Sequence, residues 1–168
     1  ASVYDSDSFL SNLQEQYLKE GRPIIFIDPK ADLEAMTNFK NLCERYNKKC
    51  HIFSESYSDS VQLNPVLEGS ISQVTDRIMD AFDWSEPYYM DMCTRALRES
   101  LEELKKDAKV FSLKNIYDVL INKHDKKETT GLIVKLENIV KSDFGKYLGG
   151  SKSDLTISKV RNERSCLY

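Results

Sequence analysis

Hydrophobic positions along the chain fall into two regimes. Up to about residue 55, helical spacing alternates with short unbroken apolar runs; beyond that point helical spacing dominates. Leu10, Leu13 and Tyr17, widened by Phe9 and Leu18, predict a first helix, capped by Asp7 or Ser8 and ended by Gly21. Arg22-Pro23-Ile24-Ile25-Phe26-Ile27-Asp28 then predicts a strand. Its apolar run does not alternate, which is the pattern of a strand buried on both faces of a parallel sheet. Asp28 to Asp32 is a turn, with Asp32 capping a second helix whose stripe is Leu33, Met36, Phe39, Cys43 and Tyr46. Asn47-Lys48-Lys49 breaks that helix, and Cys50-His51-Ile52-Phe53 is a second strand. Residues 22–53 therefore predict one strand–helix–strand crossover, the unit that builds parallel sheets.

After a serine-rich loop (Ser54, Ser56, Ser58, Ser60) and the turn Leu63-Asn64-Pro65-Val66, the pattern predicts four helices. Ser70 caps the first, with Ile71, Val74, Ile78 and Phe82. Ser85 caps the second, with Glu86 and Pro87 in its first turn and a stripe of Tyr89, Met92 or Cys93, Ala96, Leu97, Leu101 and Leu104. Ser112 caps the third, carrying Leu113, Ile116 and Leu120. The fourth runs from about Thr129 with Leu132, Leu136 and Ile139, and Gly145, Gly149 and Gly150 mark its exit. Residues 154–162 fit no single period. Ser165 to Tyr168 is the start of a strand. Two adjacent parallel strands are not a self-sufficient sheet, so either this last strand returns to them or the sheet belongs to something larger.

Composition narrows the classes. A length of 168 residues suits one domain, or one domain with a sub-domain grafted on. Lys plus Arg number 24 against 27 Asp plus Glu, a net charge of −3, which excludes a domain gripping phosphates over its whole surface but leaves room for a local basic patch. Six Gly and four Pro are too few for an all-β fold. The longest apolar run, Ile24 to Ile27, is four residues, so the sequence predicts no transmembrane helix. No charged-then-apolar leader with a small-residue cleavage site is seen. The four cysteines form no Cys-x-x-Cys pair and read as reduced, mostly buried thiols. Cys43, Cys50 and His51 lack a nearby fourth ligand for zinc.

Candidate chemistry is sparse, and each feature has a plainer reading beside it. Asp28, Lys30 and Asp32 share one turn at a strand's end, where open α/β sheets place ligands. They read either as a nucleotide- or metal-proximal group or as a turn with a capping Asp32 and an exposed Lys30. The chain carries neither Gly-x-x-x-x-Gly-Lys-Ser/Thr nor Gly-x-Gly-x-x-Gly. His51 reads as a packed residue with one satisfied nitrogen and His124 as solvated. Lys105, Lys106 and Lys109, and Lys123, Lys126 and Lys127 followed by Lys135, Lys141 and Lys146, are either solvated faces or a docking edge; interleaved acids weaken a nucleic-acid role. Asp83-Trp84-Ser85-Glu86-Pro87-Tyr88-Tyr89 is either an aromatic plug between helices or an anchor for a protein partner or single-stranded bases.

Taken in order, Ile24 to Asp32, His51-Ile52-Phe53-Ser54, Leu63-Asn64-Pro65-Val66 and Asp83 to Tyr89 with the helix after it resemble the coupling ATPases of conjugative and type IV secretion systems, the TraD and TraG group. The resemblance spans about residues 9–168, with its motifs concentrated in 22–100. Ala31 stands where the group usually has glycine. Neither the phosphate loop nor the acid-tipped strand of the second ATPase motif is present; in the family's order they would precede residue 1 and follow Tyr168. The resemblance thus implies a middle portion of a longer motor: an α/β fragment, predominantly α, with a short parallel strand pair of a RecA-like core. Residues 1–60 would be the partial nucleotide-binding segment, 61–150 the all-alpha domain and 151–168 the return toward the core.

The resemblance further implies a hexameric ATPase at the cytoplasmic face of a bacterial inner membrane, tethered through segments outside this chain. It moves single-stranded DNA with its relaxase, or secreted proteins, and the all-alpha domain receives the substrate. ATP and magnesium would belong to the whole motor. This portion would hold no cofactor and hydrolyse no ATP, since the groups that grip the γ-phosphate are missing. Asp28, Lys30 and Asp32 are the nucleotide-proximal candidates; Trp84, Tyr88, Tyr89, Lys123, Lys126 and Lys127 are the partner-binding candidates. The alternatives are a small independent α/β nucleotide- or metal-binding enzyme working at Asp28, and a stand-alone helical interaction module.

Overall fold

The computed structural model describes the backbone of residues 3–123 and 126–168 and the side chains of 9–123 and 127–168. In chain order its helices are α1 (Val3–Lys19), α2 (Leu33–Arg45), α3 (Ile71–Asp80), α4 (Pro87–Lys106), α5 (Leu113–Lys123), α6 (Lys126–Val140) and α7 (Ile157–Asn162). Its strands are β1 (Cys50–His51) and β2 (Cys166–Leu167). The chain is therefore predominantly α with a short parallel sheet. It forms two compact units, Ala1–Val61 with Ile157–Tyr168, and Gln62–Thr156. The helical unit is thus an insertion in the α/β unit. No helix among the described residues is long and apolar enough to cross a membrane.

In the α/β unit, α1 begins at Val3, so Asp7 and Ser8 lie within it and not ahead of it; their side chains are outside the described set. It ends as expected at Gly21. With φ +74° there, Gly21 N–H reaches Leu18 O and Arg22 N–H reaches Tyr17 O, which satisfies two orphan carbonyls. Asp32 caps α2, its carboxylate accepting from Glu34 N–H at 2.8 Å. Three other helices close in the same left-handed way without glycine: α2 at Asn47 (φ +52°), α4 at Ala108 (φ +53°) and α7 at Arg164 (φ +51°).

The strand order departs from the expectation. β1 and β2 run parallel, with Cys50 opposite Cys166 and His51 opposite Leu167. On its other side β2 takes residues 24–26: Leu167 N–H donates to Ile24 O at 2.9 Å and Phe26 N–H to Leu167 O at 2.8 Å. The last segment of the chain therefore lies between the two strands of the expected crossover, which are not neighbours. The expected burial of Ile24 to Ile27 on both faces is also corrected. Ile24 and Phe26 pack on the core, but Ile25 is 41% and Ile27 82% exposed. This segment is an edge. Leu18 of α1 and Met36, Phe39 and Cys43 of α2 cover one face, packing with Ile52, Cys166 and Tyr168.

In the helical unit, Ser70 and Gln73 form a reciprocal capping box at α3. Ser112 caps α5 through Asn115 N–H, at 3.1 Å. At α4 the expected Ser85 cap is not used. Pro87 occupies the first turn, Glu86 becomes the cap residue, and its side chain makes no cap bond. Pro at that position has no N–H to satisfy and a backbone already set for the helix, so the helix starts there. α6 starts at Lys126, ahead of the expected Thr129; His124 and Asp125 lie outside the described residues. α4 packs against α3, α5 and α6. The core is Val74, Ile78, Leu97, Leu101, Leu104, Ile116, Leu120, Leu132 and Leu136. Tyr89, expected on the buried stripe, is 48% exposed; Ser100 takes a buried place instead, its hydroxyl returned to Ala96 O. The two ends of the insertion lie side by side, since Leu155 N–H donates to Gln62 O and Asn64 N–H to Leu155 O. Buried Asn64 braces that junction, donating to Phe111 O at 2.8 Å and accepting from Val66 N–H.

Candidate functional site

The strand tip of the α/β unit is built from a short stretch of chain and one distant residue. The predicted strand over residues 22–28 is reduced to a bridge at Ile25, and this extended segment delivers Asp28 into a turn, where its carboxylate accepts from Lys30 N–H at 2.9 Å and Asp32 N–H at 2.8 Å. The third donor is Tyr168: its hydroxyl lies 2.6 Å from Asp28 Oδ2 and 3.1 Å from Asp32 O. Ala31 sits at φ +52° inside this turn, a left-handed conformation that explains why glycine suits the position. The Tyr168 hydrogen bond, then the two backbone donors, hold the Asp28 carboxyl below its ordinary value. Burial, then the bond to Asp28, pushes the Tyr168 phenol up.

The three nucleotide-proximal candidates thus share a turn but not a common site. Asp28 is bound by three donors, Asp32 serves as the α2 cap, and Lys30 is exposed. Tyr168, which completes the arrangement, was not among the sequence candidates. No group of three or more His, Cys, Asp or Glu suited to a metal ion occurs among the described residues. His51 is packed, as expected. It is buried, yet its Nε2 has no hydrogen-bond partner and stands 3.9 Å from Glu163 Oε2. Desolvation, then the nearby Lys49, pushes its pKa down, so the ring is neutral at pH 7.

In the helical unit the aromatic stretch divides. Trp84 packs on the core, and its indole N–H donates to Met79 O at 2.8 Å. Its ring meets Phe82 edge-on, and Lys135 Nζ lies 5.4 Å from both ring centroids. Trp84 therefore has the geometry of a plug between helices. Tyr88 and Tyr89 open α4 with their rings 5.6 Å apart, 61% and 48% exposed. They are the aromatic pair of this stretch that a partner can reach.

The lysines are interleaved with acids. Lys123 pairs with Glu103 at 2.5 Å, Lys109 with Asp107 at 3.3 Å, and Lys141 with Glu137. Lys127 is exposed, and the Lys126 side chain lies outside the described residues. A shallow cavity of about 400 Å³ opens beside the start of α5, with Ser112, Asn115, Lys146 and Gly149 on its wall. Lys146 belongs to the basic cluster of the sequence analysis; Asp28, Lys30, Asp32, Trp84, Tyr88, Tyr89, Lys123 and Lys127 do not line this cavity. No protein-family model, curated protein or solved structure matches the chain.

Proposed function

We propose that this chain is the substrate-recognition portion of a type IV secretion coupling ATPase, a motor of DNA transfer in bacterial conjugation. The helical unit Gln62–Thr156 receives the relaxase with its single-stranded DNA, or a secreted protein. The α/β unit belongs to the motor's RecA-like core. One observation carries this reading: a helical unit is inserted into a parallel α/β unit whose edge segment, bridged to β2 at Ile25, leads into Asp28-Pro29-Lys30. The exposed Tyr88–Tyr89 pair supports a receiving role, since paired aromatics at a helix start supply contact area for a partner. ATP and magnesium act in the whole motor, and its ring is a homo-oligomer at the inner face of the membrane. The chain itself carries no phosphate loop and turns over no ATP.

The test uses exposed positions, so that folding and function separate. In the native host, the double substitution Tyr88→Ala, Tyr89→Ala should lower transfer of a conjugative element to recipients about tenfold or more, as loss of an interface anchor does. Element copy number and the far-UV circular dichroism of the purified chain should stay unchanged. Transfer at the parental frequency overturns the proposal. So does magnesium-dependent phosphate release from ATP by the purified chain.

A further inference from the structure

The connector into α4 and the first turns of that helix carry a one-sided charge. Between Arg77 and Arg95 the chain has four acids, Asp80, Asp83, Glu86 and Asp91, and no lysine, arginine or histidine. All four are exposed. None of them is held in an ion pair or a side-chain hydrogen bond among the described residues, and Glu86, the cap residue of α4, makes no cap bond. Other exposed acids of the helical unit have cations beside them: Glu99 pairs with Arg95, Asp107 with Lys109 and Asp118 with Lys114. Asp80 is moreover the last residue of α3, where a negative charge opposes the helix dipole, so local stability does not account for it.

Tyr88 and Tyr89 stand within this acidic stretch, their rings 5.6 Å apart and inclined at 73°. Asp91 is three places beyond Tyr88 and Met92 four, so both share a helix face with that ring, and Met92 is three places from Tyr89. Met92 is half-buried, and its soft thioether side chain adapts to an apolar neighbour. A cation within about 6 Å of a tyrosine ring centre is attracted by the ring quadrupole. A carboxylate beside the ring adds a charge-assisted hydrogen bond to the same cation. The helical unit uses the first of these contacts internally, where Lys135 Nζ lies 5.4 Å from the ring centroids of Phe82 and Trp84. α6 meets α4 one turn beyond Tyr89, where Cys93 bonds the Glu128 carbonyl; the Lys127 and Glu128 it brings there are of opposite sign.

We propose that this face docks a basic segment of a protein, its arginine or lysine side chains on the tyrosine rings and the carboxylates, and its apolar side chains against Met92. The inference rests on the receiving role given to the helical unit above and names the class of its occupant. Charge decides between the two occupants that an exposed aromatic pair serves. Single-stranded nucleic acid stacks its bases on such rings where cations track its phosphates. Here the rings are flanked by unpaired acids, which repel phosphates. A positively charged protein segment meets the opposite field: it is steered to the surface by its charge and held there by the rings.

The experiment uses the full chain, isotope-labelled for NMR. The probes are a synthetic peptide of arginine, leucine and serine, and oligothymidylate as the single strand. The peptide should shift the amides of Tyr88, Tyr89 and Asp91, and oligothymidylate should leave them in place. Asp83→Asn, Glu86→Gln and Asp91→Asn together remove charge at exposed positions, so the circular dichroism should stay unchanged while affinity for the peptide falls about tenfold. Tyr88→Phe with Tyr89→Phe keeps the rings and should keep the affinity within about twofold, whereas Tyr88→Ala with Tyr89→Ala should abolish it. An unchanged affinity in the triple variant overturns the proposal. So do peptide shifts confined to other surfaces, or oligothymidylate binding at the Tyr88, Tyr89 and Asp91 amides. The outcome is separate from that of the transfer assay. If the peptide fails here while transfer needs Tyr88 and Tyr89, the basic occupant is refuted and the receiving role stands. Parental transfer by the Tyr88→Ala, Tyr89→Ala variant removes the receiving role, whatever the peptide does.

Discussion

Tyr168→Phe isolates the hydroxyl that joins the end of the chain to the Asp28 turn, through Asp28 Oδ2 at 2.6 Å and Asp32 O at 3.1 Å. The substitution keeps the ring, which meets Phe26 edge-on at 5.2 Å and Phe39 at 6.2 Å, and removes only the hydroxyl. Asp28 keeps its two backbone donors, and Asp32 O keeps Met36 N–H. A hydrogen bond to a charged acceptor contributes about 1.5–3 kcal/mol, and a partly exposed carboxylate with donors to spare belongs at the low end, about 1.5 kcal/mol. That corresponds to roughly tenfold faster exchange of amides that open only with the sheet.

Urea titration followed by circular dichroism measures the stability, and hydrogen exchange at the Phe26, Phe53 and Leu167 amides localises it. The pH dependence gives a second arm. Asp28 has its folded pKa lowered from 3.8, so its contribution is present above that value and is lost as pH falls through the folded pKa. The gap between wild type and Tyr168→Phe should therefore narrow between pH 5 and pH 3. Tyr168 has its folded pKa raised from 10.0, so wild type loses stability above pH 10 in a way the variant does not. A gap below about 0.3 kcal/mol at pH 7, or one that does not change between pH 5 and pH 3, refutes the reasoning.

Ala108→Gly should stabilise the chain by about 0.5–1 kcal/mol in urea, because Ala108 closes α4 at φ +53° and the left-handed penalty exceeds glycine's entropic cost. Leu101→Ala should destabilise the helical unit by about 3 kcal/mol, read from Trp84 fluorescence, since Leu101 is fully buried in its core. Gly145→Ala should lower the thermal midpoint of the same unit: a Cβ there would lie 2.5 Å from Val140 O and 2.6 Å from Ile139 O, and backbone of that kind has to move to admit it.

What the sequence made legible was local. Asp32, Ser70 and Ser112 cap their helices as the side-chain chemistry predicts, and Gly21 closes α1 by the conformation it alone adopts freely. Ser85 failed for an equally local reason. Pro87 fixes the first turn of α4, so the cap residue is Glu86, whatever the preference for serine one place earlier. Strand order was not local. Ile24 and Leu167 meet across most of the chain, and no spacing within residues 22–53 announces that a third segment will enter between the two strands. The unbroken Ile24–Ile27 run pointed to burial on both faces, but an apolar run does not say whether a second layer exists to cover it. In the structure Ile25 and Ile27 face away from the helices.

The candidate site repeats this division and gives it a meaning. Asp28, Lys30 and Asp32 look like a reactive constellation because they are close in sequence. Folding separates their roles, giving Asp32 to the cap and Asp28 to a partner 140 residues away. That partner carries the physical argument. An insertion as long as Gln62–Thr156 splits the α/β unit into two stretches of chain, and closing so long a loop costs conformational entropy that the reunited stretches have to offset. They do so in two ways. β2 enters between the 24–26 segment and β1, so that each of its neighbours is held by backbone bonds. Tyr168 then binds Asp28, the residue at which the first strand turns into α2. The Asp-Pro-Lys turn is thus first a latch for the returning strand. Any chemistry proposed for Asp28 must begin by displacing Tyr168, which is why the Tyr168 hydroxyl is the group to remove before assigning the carboxylate a substrate.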